Sequence, residues 1–133
     1  MRYLLDTHYL LWAIFDVDKI SKKTGDLIAD QEQQIFVSTI SFWEIALKSS
    51  LGKLKLGGCN PEEIPGICTK TGFEIIELSS RDSSSYHLLN ASHHKDPFDR
   101  MLIWQAIRNN YTLISEDKQV SKYRSEGLHV LTG

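Results

Sequence analysis

The amino-acid sequence predicts an α/β fold: a single-domain, three-layer α/β/α sandwich with a mainly parallel sheet. Short apolar runs that suit buried strands alternate with segments of helical character along the whole chain. No tight hairpin signal such as Asn-Gly joins two of these strands, which favours crossover connections and parallel pairing. With 133 residues, 41% of them apolar and 24% charged, the chain is long enough for one core and too short for two.

The predicted strands and helices follow one another in order. The strands share a short apolar run bounded by polar residues, and they are 2–5, 35–38, 73–78, 111–115 and 128–131. The helices are 7–15, 21–34, 41–52, 60–72, 79–92, 96–110 and 118–123. Ser41 is the expected cap of the third helix. The helix at 96–110 has the clearest start, because Asp96 is a good N-cap and Pro97 suits the first helical position.

Charge and cysteine content narrow the class of protein. A net charge of −2 argues against a broadly basic nucleic-acid coat, although a local basic groove remains compatible with it. Cys59 and Cys68 form no CxxC pair, which predicts free thiols rather than a metal knuckle or a disulfide framework. The apolar N-terminal run is interrupted by Asp6, Thr7 and His8, so it predicts neither a signal peptide nor a membrane span. We expect a cytoplasmic protein with no membrane partner.

Acidic residues stand close to the predicted carboxyl ends of several strands. Asp6 follows the first strand directly, and Glu44 falls in the predicted first turn of the helix after the second strand. Asp96 and Asp99 open the helix before the fourth strand, and Asp117 follows that strand. Because ligand sites of open parallel sheets lie at the carboxyl ends of the strands, we expect these carboxylates to converge.

Each of these acids also has a local explanation. Asp96 fits a helix cap, and Asp99 in the first turn would favour the helix dipole. Ser41 and Glu44 fit a capping box, in which the glutamate returns a hydrogen bond to the cap. Asp6 and Asp117 could be loop residues in solvent. For any single acid, the local explanation is the stronger one.

The acids as a set are harder to explain locally. Carboxylates that converge in a partly dry cleft repel one another, so the cluster is stable only if some protonate or a cation binds. Ligands that are all oxygen suit a hard divalent ion, Mg²⁺ or Mn²⁺. One such ion lowers the pKa of an attacking water and a second can stabilise the leaving oxygen, which is the chemistry of phosphodiester hydrolysis.

Four stretches carry a resemblance to a known family: MRYLLDTHYLLWAI, VSTISFWEIALKSSLGKLKL, HHKDPFDRMLIWQA and TLISEDKQVSKY. They resemble, in order and over nearly the whole chain, the blocks of PIN-domain nucleases, specifically the VapC-type toxin branch. The combination of WEIAxKxxxGKL with HxxDPFDR is the specific part. The resemblance implies a PIN-like fold and a Mg²⁺- or Mn²⁺-dependent endoribonuclease that acts as the toxin of a toxin–antitoxin pair. It also implies an RNA substrate, a homodimer and a cognate antitoxin that blocks the site.

The resemblance also assigns roles to individual residues. The four acids that it implies as the metal site are Asp6, Glu44, Asp99 and Asp117. The supporting positions are Thr7, Asp96, Arg100 and Ser115. Arg100 could hold neighbouring carboxylates or touch a phosphate, and a weak surface ion pair explains it equally well. Trp104 departs from the family pattern, where a small residue is more usual, and this could alter packing without removing a ligand.

Basic and histidine residues offer further candidates. The acid-free basic run comprises Lys48, Lys53 and Lys55, which could bind RNA backbone beside the metal site or form a solvated loop. His93 and His94 invite a zinc site or a general base. The sequence lacks the cysteine partners or HExxH spacing of zinc sites, and the acids already supply a mechanism. His8 could face the cleft or pack on its helix.

The three tryptophans could stack on bases, but their apolar neighbours make core or dimer contacts the better interpretation. They are Trp12, Trp43 and Trp104. The stretch LLWAIF around the first could contribute to an apolar dimer or antitoxin surface.

Two other functions compete with the nuclease. A non-catalytic RNA- or protein-binding module could use the same fold, although it gives no reason to keep repelling acids together. A phosphoaspartate enzyme could use Asp6 as nucleophile, but that motif generally needs DxDx[TV] and position 8 is histidine. The nuclease mechanism predicts products with a 5′-phosphate and a 3′-hydroxyl.

Overall fold

The computed structural model describes residues 1–90, 92–94 and 96–133. Its strands are β1 (Arg2–Leu5), β2 (Gln34–Ser38), β3 (Glu74–Ile76), β4 (Thr112–Ile114) and β5 (His129–Leu131). They form one sheet in the order β3-β2-β1-β4-β5. All four strand pairings among the described residues are parallel, and Leu4 of the central strand lies opposite Phe36 on one side and Leu113 on the other. The predicted parallel sheet is confirmed.

The α-helices of the described residues are α1 (Thr7–Phe15), α2 (Lys22–Ala29), α3 (Thr39–Ser50), α4 (Ile64–Thr71), α5 (Ser80–Ser84), α6 (Pro97–Asn109) and α7 (Lys118–Ser121). The same part of the chain has four short 3₁₀ turns, at Val17–Lys19, Pro61–Glu63, Tyr86–Leu88 and Lys122–Glu126. Helix α6 begins at Pro97 with Asp96 as its cap, as the sequence predicts.

Three predicted helices are much longer than the observed ones. The helix predicted over 21–34 ends at Ala29, because Gln34 already pairs with Arg2 in the sheet. The segment predicted over 60–72 opens with a 3₁₀ turn before α4. The segment predicted over 79–92 forms only α5 and a 3₁₀ turn, since the Ser85 hydroxyl donates to Arg81 O at 2.7 Å where α5 ends. Its position 91 lies outside the described residues.

Both faces of the sheet are covered, which gives three layers. Leu4 and Phe36 belong to one buried cluster, which α6 covers with residues such as Leu102. Leu5 and Val37, their neighbours along the strands, belong to a second buried cluster on the opposite face, which includes side chains of α1, α3 and α4. Strands that are buried on both faces read as continuous apolar runs, which explains why RYLL and IFVS lack alternation.

The order of the strands reverses beside β1. The chain passes from β1 to β2 and β3 on one side, and then crosses to place β4 on the other side. Ligand sites of open α/β sheets lie in the crevice at the carboxyl ends of the strands where this reversal occurs. Asp6 stands at this crevice, since its backbone N–H donates to the carbonyl of Ile114 at the end of β4, at 3.1 Å.

The tryptophans divide between core and surface. Trp104 lies in the core cluster with α6, and its indole N–H donates to Asp82 O at 3.1 Å, so the larger side chain is accommodated. Trp43 is 65% exposed and packs edge-on against Phe98, with ring centroids 5.0 Å apart, so a core position for it is wrong. Both cysteines are free thiols, as predicted. No helix in the described part of the chain combines the length and apolar character needed to cross a bilayer.

Candidate active site

Asp6 is the first acid at the carboxyl edge of the sheet. It caps α1, and its Oδ1 accepts a hydrogen bond from the backbone N–H of Tyr9 at 2.8 Å. The side chain is buried, and this burial raises the pKa of Asp6 even though hydrogen bonds from Tyr9 N–H and the Ser115 hydroxyl favour the carboxylate. A solvent-facing loop position for Asp6 is therefore wrong.

The cap of helix α3 lies three residues earlier than the sequence predicts. Ser38 is its cap, with Oγ accepting from the backbone N–H of Ile40 at 3.1 Å, and Thr39 is the first helical residue. Ser41 lies inside the helix and is fully buried. Glu44 therefore stands in the second turn rather than the first, and the predicted capping box between Ser41 and Glu44 is wrong.

Glu44 is instead held by long-range contacts. The Thr7 hydroxyl donates to Glu44 Oε1 at 2.6 Å and lies 2.9 Å from Ser41 Oγ, which joins the start of α1 to α3. Glu44 Oε2 forms an ion pair with Lys48, one turn further along α3. Thr7, a predicted supporting residue, thus orients an acid of the site. Lys48 also contacts Glu44, a contact that was not part of the prediction that Lys48 could bind RNA backbone.

Asp96 and Asp99 divide their roles within the first turn of α6. Asp96 Oδ1 accepts from the backbone N–H of Phe98 at 2.8 Å and of Asp99 at 3.4 Å, so this carboxylate caps the helix. Burial raises the pKa of Asp99 to about 6, and repulsion from Asp96, Glu44 and Asp6 adds to the rise. Asp99 is therefore electrostatically coupled to the acids on α1 and α3.

Asp117 caps the short helix α7 on the other side of the crevice. Its Oδ1 accepts from Gln119 N–H at 2.8 Å, and its own N–H donates to Ser115 Oγ at 3.2 Å. Its Oδ2 lies 2.8 Å from His94 Nε2. Burial alone would raise the pKa of Asp117, but the hydrogen bonds from Gln119 and His94 outweigh it, so the pKa is lowered.

His94 is a site residue whose position the sequence did not reveal. Its Nε2 lies 2.8 Å from Asp117 Oδ2 and 3.1 Å from Asp99 Oδ2, between the two carboxylates. One possible ligand atom from each of these three residues lies within 4.8 Å of those of the other two, close enough for the three to share a metal ion. His93 differs, since it is exposed and packs its ring edge-on against Tyr123. Because His93 and His94 are neighbours in the sequence, the sequence alone does not indicate which of the two lies in the site.

Arg100 supports the segment that leads into α6. Its Nε donates to Tyr86 OH at 2.8 Å, its Nη1 to Tyr123 OH at 2.7 Å and its Nη2 to the carbonyl of Leu89 at 3.0 Å. These contacts give the guanidinium a structural role that neither predicted interpretation included.

A groove of about 540 Å³ lies between α1 and the loop after α3. His8, Trp12 and Lys55 contribute to its lining. His8 is exposed, and its ring centroid lies 6.0 Å from that of Trp12. Lys53 and Lys55 are exposed, as an RNA-backbone contact or a solvated loop would both require.

The donor set fits a hard divalent cation. Asp6 and Asp117 each cap a helix through Oδ1, so the capping role and a ligand role through the second oxygen are compatible. Burial holds the pKa of Asp6 and of Asp99 above the usual range, and Asp6, Glu44 and Asp99 repel one another. A bound cation with oxygen preference would relieve this repulsion.

Three solved structures with a similar fold are VapBC complexes. The structure of VapBC2 from Rickettsia felis bound to a promoter DNA fragment contains a chain with 21% identity and a TM-score of 0.69, over 99% of this chain and 98% of that one. DNA-bound VapBC from Salmonella typhimurium gives 13% identity and a TM-score of 0.69 over the same shares. VapBC-1 from nontypeable Haemophilus influenzae gives 16% identity and a TM-score of 0.68, again over 99% of this chain and 98% of that one.

At these identities the structural likeness establishes the fold. No curated protein sequence matches the chain. The protein-family model of the PIN domain matches residues 3–126, which include all four predicted acids. The chain therefore belongs to the PIN domain family.

Proposed function

We propose that residues 1–133 form a single nuclease domain that hydrolyses RNA with Mg²⁺ or Mn²⁺ and acts as the toxin of a toxin–antitoxin pair. The observation that carries this proposal is the convergence of buried, mutually repelling carboxylates at the crevice where the strand order reverses. Membership of the PIN family and the likeness to VapBC complexes support it.

The residues that would hold the cation are Asp6, Glu44, Asp99 and Asp117. A bound divalent ion supplies charge neutralisation at the phosphate and lowers the pKa of an attacking water. Thr7 orients Glu44 through its hydroxyl, and Ser115 links Asp6 to the backbone of Asp117. Because Asp96 fixes the first turn of α6, Asp99 is presented from a rigid helix start.

The proposal includes partners. Lys53 and Lys55 are exposed on the loop after α3 and are available for phosphate contacts. The groove beside α1 presents Leu11, Trp12 and Phe15, and we propose this apolar surface for dimer or antitoxin contact. An antitoxin is supported by the VapBC neighbours, whereas the homodimer rests on the sequence resemblance. The proposed place of action is the cytoplasm.

Cleavage of an end-labelled RNA tests the function. We expect cleavage with Mg²⁺ or Mn²⁺, none in excess EDTA, and products with a 5′-phosphate and a 3′-hydroxyl. Asp6→Asn is the matched control, because it keeps a helix cap while removing an anionic ligand. Full activity in EDTA would overturn the metal-dependent mechanism. RNA binding without cleavage under all metal conditions would favour a non-catalytic binding module.

A further inference from the structure

His94 is held at three points. Its backbone N–H donates to Tyr123 OH at 3.1 Å, and its ring Nδ1 accepts from the backbone N–H of Asp96 at 3.1 Å. Its Nε2 lies 2.8 Å from Asp117 Oδ2 and 3.1 Å from Asp99 Oδ2. These contacts fix both the position and the rotation of the imidazole.

The contact at Nδ1 decides which ring nitrogen donates. A neutral imidazole carries one N–H, and a nitrogen that accepts a hydrogen bond carries no hydrogen. Since Nδ1 accepts from Asp96, the hydrogen lies on Nε2, which donates to Asp117 Oδ2 and lies 3.1 Å from Asp99 Oδ2. A histidine that ligates a metal through one nitrogen usually donates from the other, which is the reverse of this arrangement. His94 is therefore built as a donor to carboxylates.

The two carboxylates need such a donor. Asp99 and Asp117 belong to different helices, α6 and α7, and both carry Oδ2 within hydrogen-bond distance of one N–H. The side chain of Asp117 is 39% exposed, so water could draw it away from its neighbour. The imidazole N–H lies between the two oxygens, offsets their repulsion and keeps them close together.

The support behind His94 is rigid. Tyr123 is fully buried in the core, and its hydroxyl receives a hydrogen bond from Arg100 Nη1 at 2.7 Å. The backbone of His94 is thereby attached to the core cluster rather than to a mobile surface group. A donor that is held this firmly can position its acceptors.

We propose that His94 is a positioning residue, whose Nε2–H preorganises Asp99 and Asp117 for a divalent cation. The inference rests on the metal site of the proposed function. Groups that orient ligating carboxylates act through those carboxylates, and their loss typically lowers metal affinity by about 10- to 100-fold. The role differs from that of a ligand, which would contact the ion, and from that of a competitor, which would weaken its binding.

Titration of the RNA-free protein with MnCl₂, followed by electron paramagnetic resonance, tests this role. His94→Leu removes the donor, and we expect its Mn²⁺ affinity to fall by about 10- to 100-fold. His94→Gln offers an amide N–H of similar reach, and it should restore most of the affinity. His129→Gln is the control, because His129 is exposed on β5 beside Thr112, at the start of β4, and this variant should bind Mn²⁺ as the wild type does. Thermal melts in EDTA check that each variant folds.

A double-mutant cycle tests whether the effect passes through Asp117. In an Asp117→Asn background, His94→Leu should cost less affinity than in the wild type, because one of the two carboxylates that it positions is already lost. Equal costs in both backgrounds would contradict the proposed route. If the leucine variant does not fold, Tyr123→Phe replaces it, with an expected several-fold loss, and an unchanged affinity there would overturn the inference.

Three further outcomes would overturn the proposal. Tighter Mn²⁺ binding by His94→Leu would make His94 a competitor of the cation. An imidazole nitrogen signal in the electron spin-echo spectrum of wild-type protein with Mn²⁺ would make it a ligand. Unchanged affinity in a folded leucine variant would give it no part in metal binding. A wild type that binds no Mn²⁺ would overturn the metal-dependent function as well, which distinguishes that failure from the other three.

Discussion

The molecule holds buried acids in two regions, and their surroundings differ. Asp82 on α5 is 5% exposed, and its carboxylate accepts from Asn109 Nδ2 at 2.8 Å and Arg108 Nε at 3.5 Å. At the carboxyl edge of the sheet, burial raises the pKa of Asp99, and repulsion from Asp96, Glu44 and Asp6 adds to the rise. The carboxylate of Asp82 is matched by donors, whereas the carboxylates at the sheet edge accept hydrogen bonds and also repel one another.

The difference indicates what each region is for. A buried carboxylate with a cation and an amide as partners holds α5 to α6, and such a pair is structural. Buried carboxylates that raise one another's pKa cost stability in the metal-free protein, and such clusters are typical of functional sites. Substitution should therefore affect folding in the first region and activity in the second.

The largest expected effect is the loss of activity in Asp99→Asn. An amide cannot replace an anionic ligand of a hard cation, so RNA cleavage should fall to background, by more than about 100-fold. In EDTA the variant should melt at the wild-type temperature or slightly above it, because one member of a repelling cluster is neutralised. Calorimetry with and without Mg²⁺ gives the second readout, and Mg²⁺ should stabilise the wild type more than the variant. If the variant were destabilised but still active, Asp99 would have a structural role like that of Asp82.

Asp82→Asn should show the opposite pattern. The amide loses its charge-assisted contacts with Arg108 and places an N–H against the amide of Asn109, so we expect a loss of about 1–3 kcal/mol in the free energy of unfolding. Urea denaturation measures this loss. Cleavage per folded molecule and Mn²⁺ affinity should remain at the wild-type level. A selective loss of Mn²⁺ affinity in a stable variant would remove the contrast between the two regions.

The sequence predicts the fold and the positions of the acids because both depend on local order along the chain. Apolar runs alternate with helical segments, and the acids stand directly after strands or near the starts of helices, so the parallel topology brings them to one edge. The start of α3 was predicted wrongly because Ser38 and Ser41 are both good caps. Tertiary contact decides between them, since the buried Ser41 lies against Thr7.

The remaining site features depend on contacts between residues far apart in the chain. His94 is fixed by Tyr123, 29 positions later, and nothing near His94 in the sequence indicates this partner. Arg100 likewise contacts Tyr86 and Tyr123 rather than the acids beside it in the sequence. The partners of Asp82 lie 26 and 27 residues away on α6. Such pairs require the folded arrangement.

A smaller effect is expected from Lys53→Gln combined with Lys55→Gln. Each lysine that contacts a phosphate of single-stranded RNA contributes about 0.7 to the slope of log affinity against log salt. The double variant should therefore bind RNA several-fold more weakly, with a flatter salt dependence and unchanged Mn²⁺ affinity. Fluorescence anisotropy over a range of salt concentrations measures the slope. An unchanged slope would assign both lysines to a solvated loop.

The smallest effect is expected from Asp96→Asn, three residues before the most sensitive position. Asparagine caps a helix about as well as aspartate, so the hydrogen bonds to the N–H groups of Phe98 and Asp99 can be retained and the variant should melt near the wild-type temperature. Asp96 also repels Asp99, and its neutralisation removes part of that repulsion without removing a proposed ligand. Cleavage rates within about threefold of the wild type are therefore expected, since the cap geometry is kept. Parallel rate and melting measurements on Asp96→Asn and Asp99→Asn make the comparison direct. If Asp96→Asn abolished cleavage while Asp99→Asn preserved it, the capping acid would be the ligand and the roles within the first turn of α6 would be reversed.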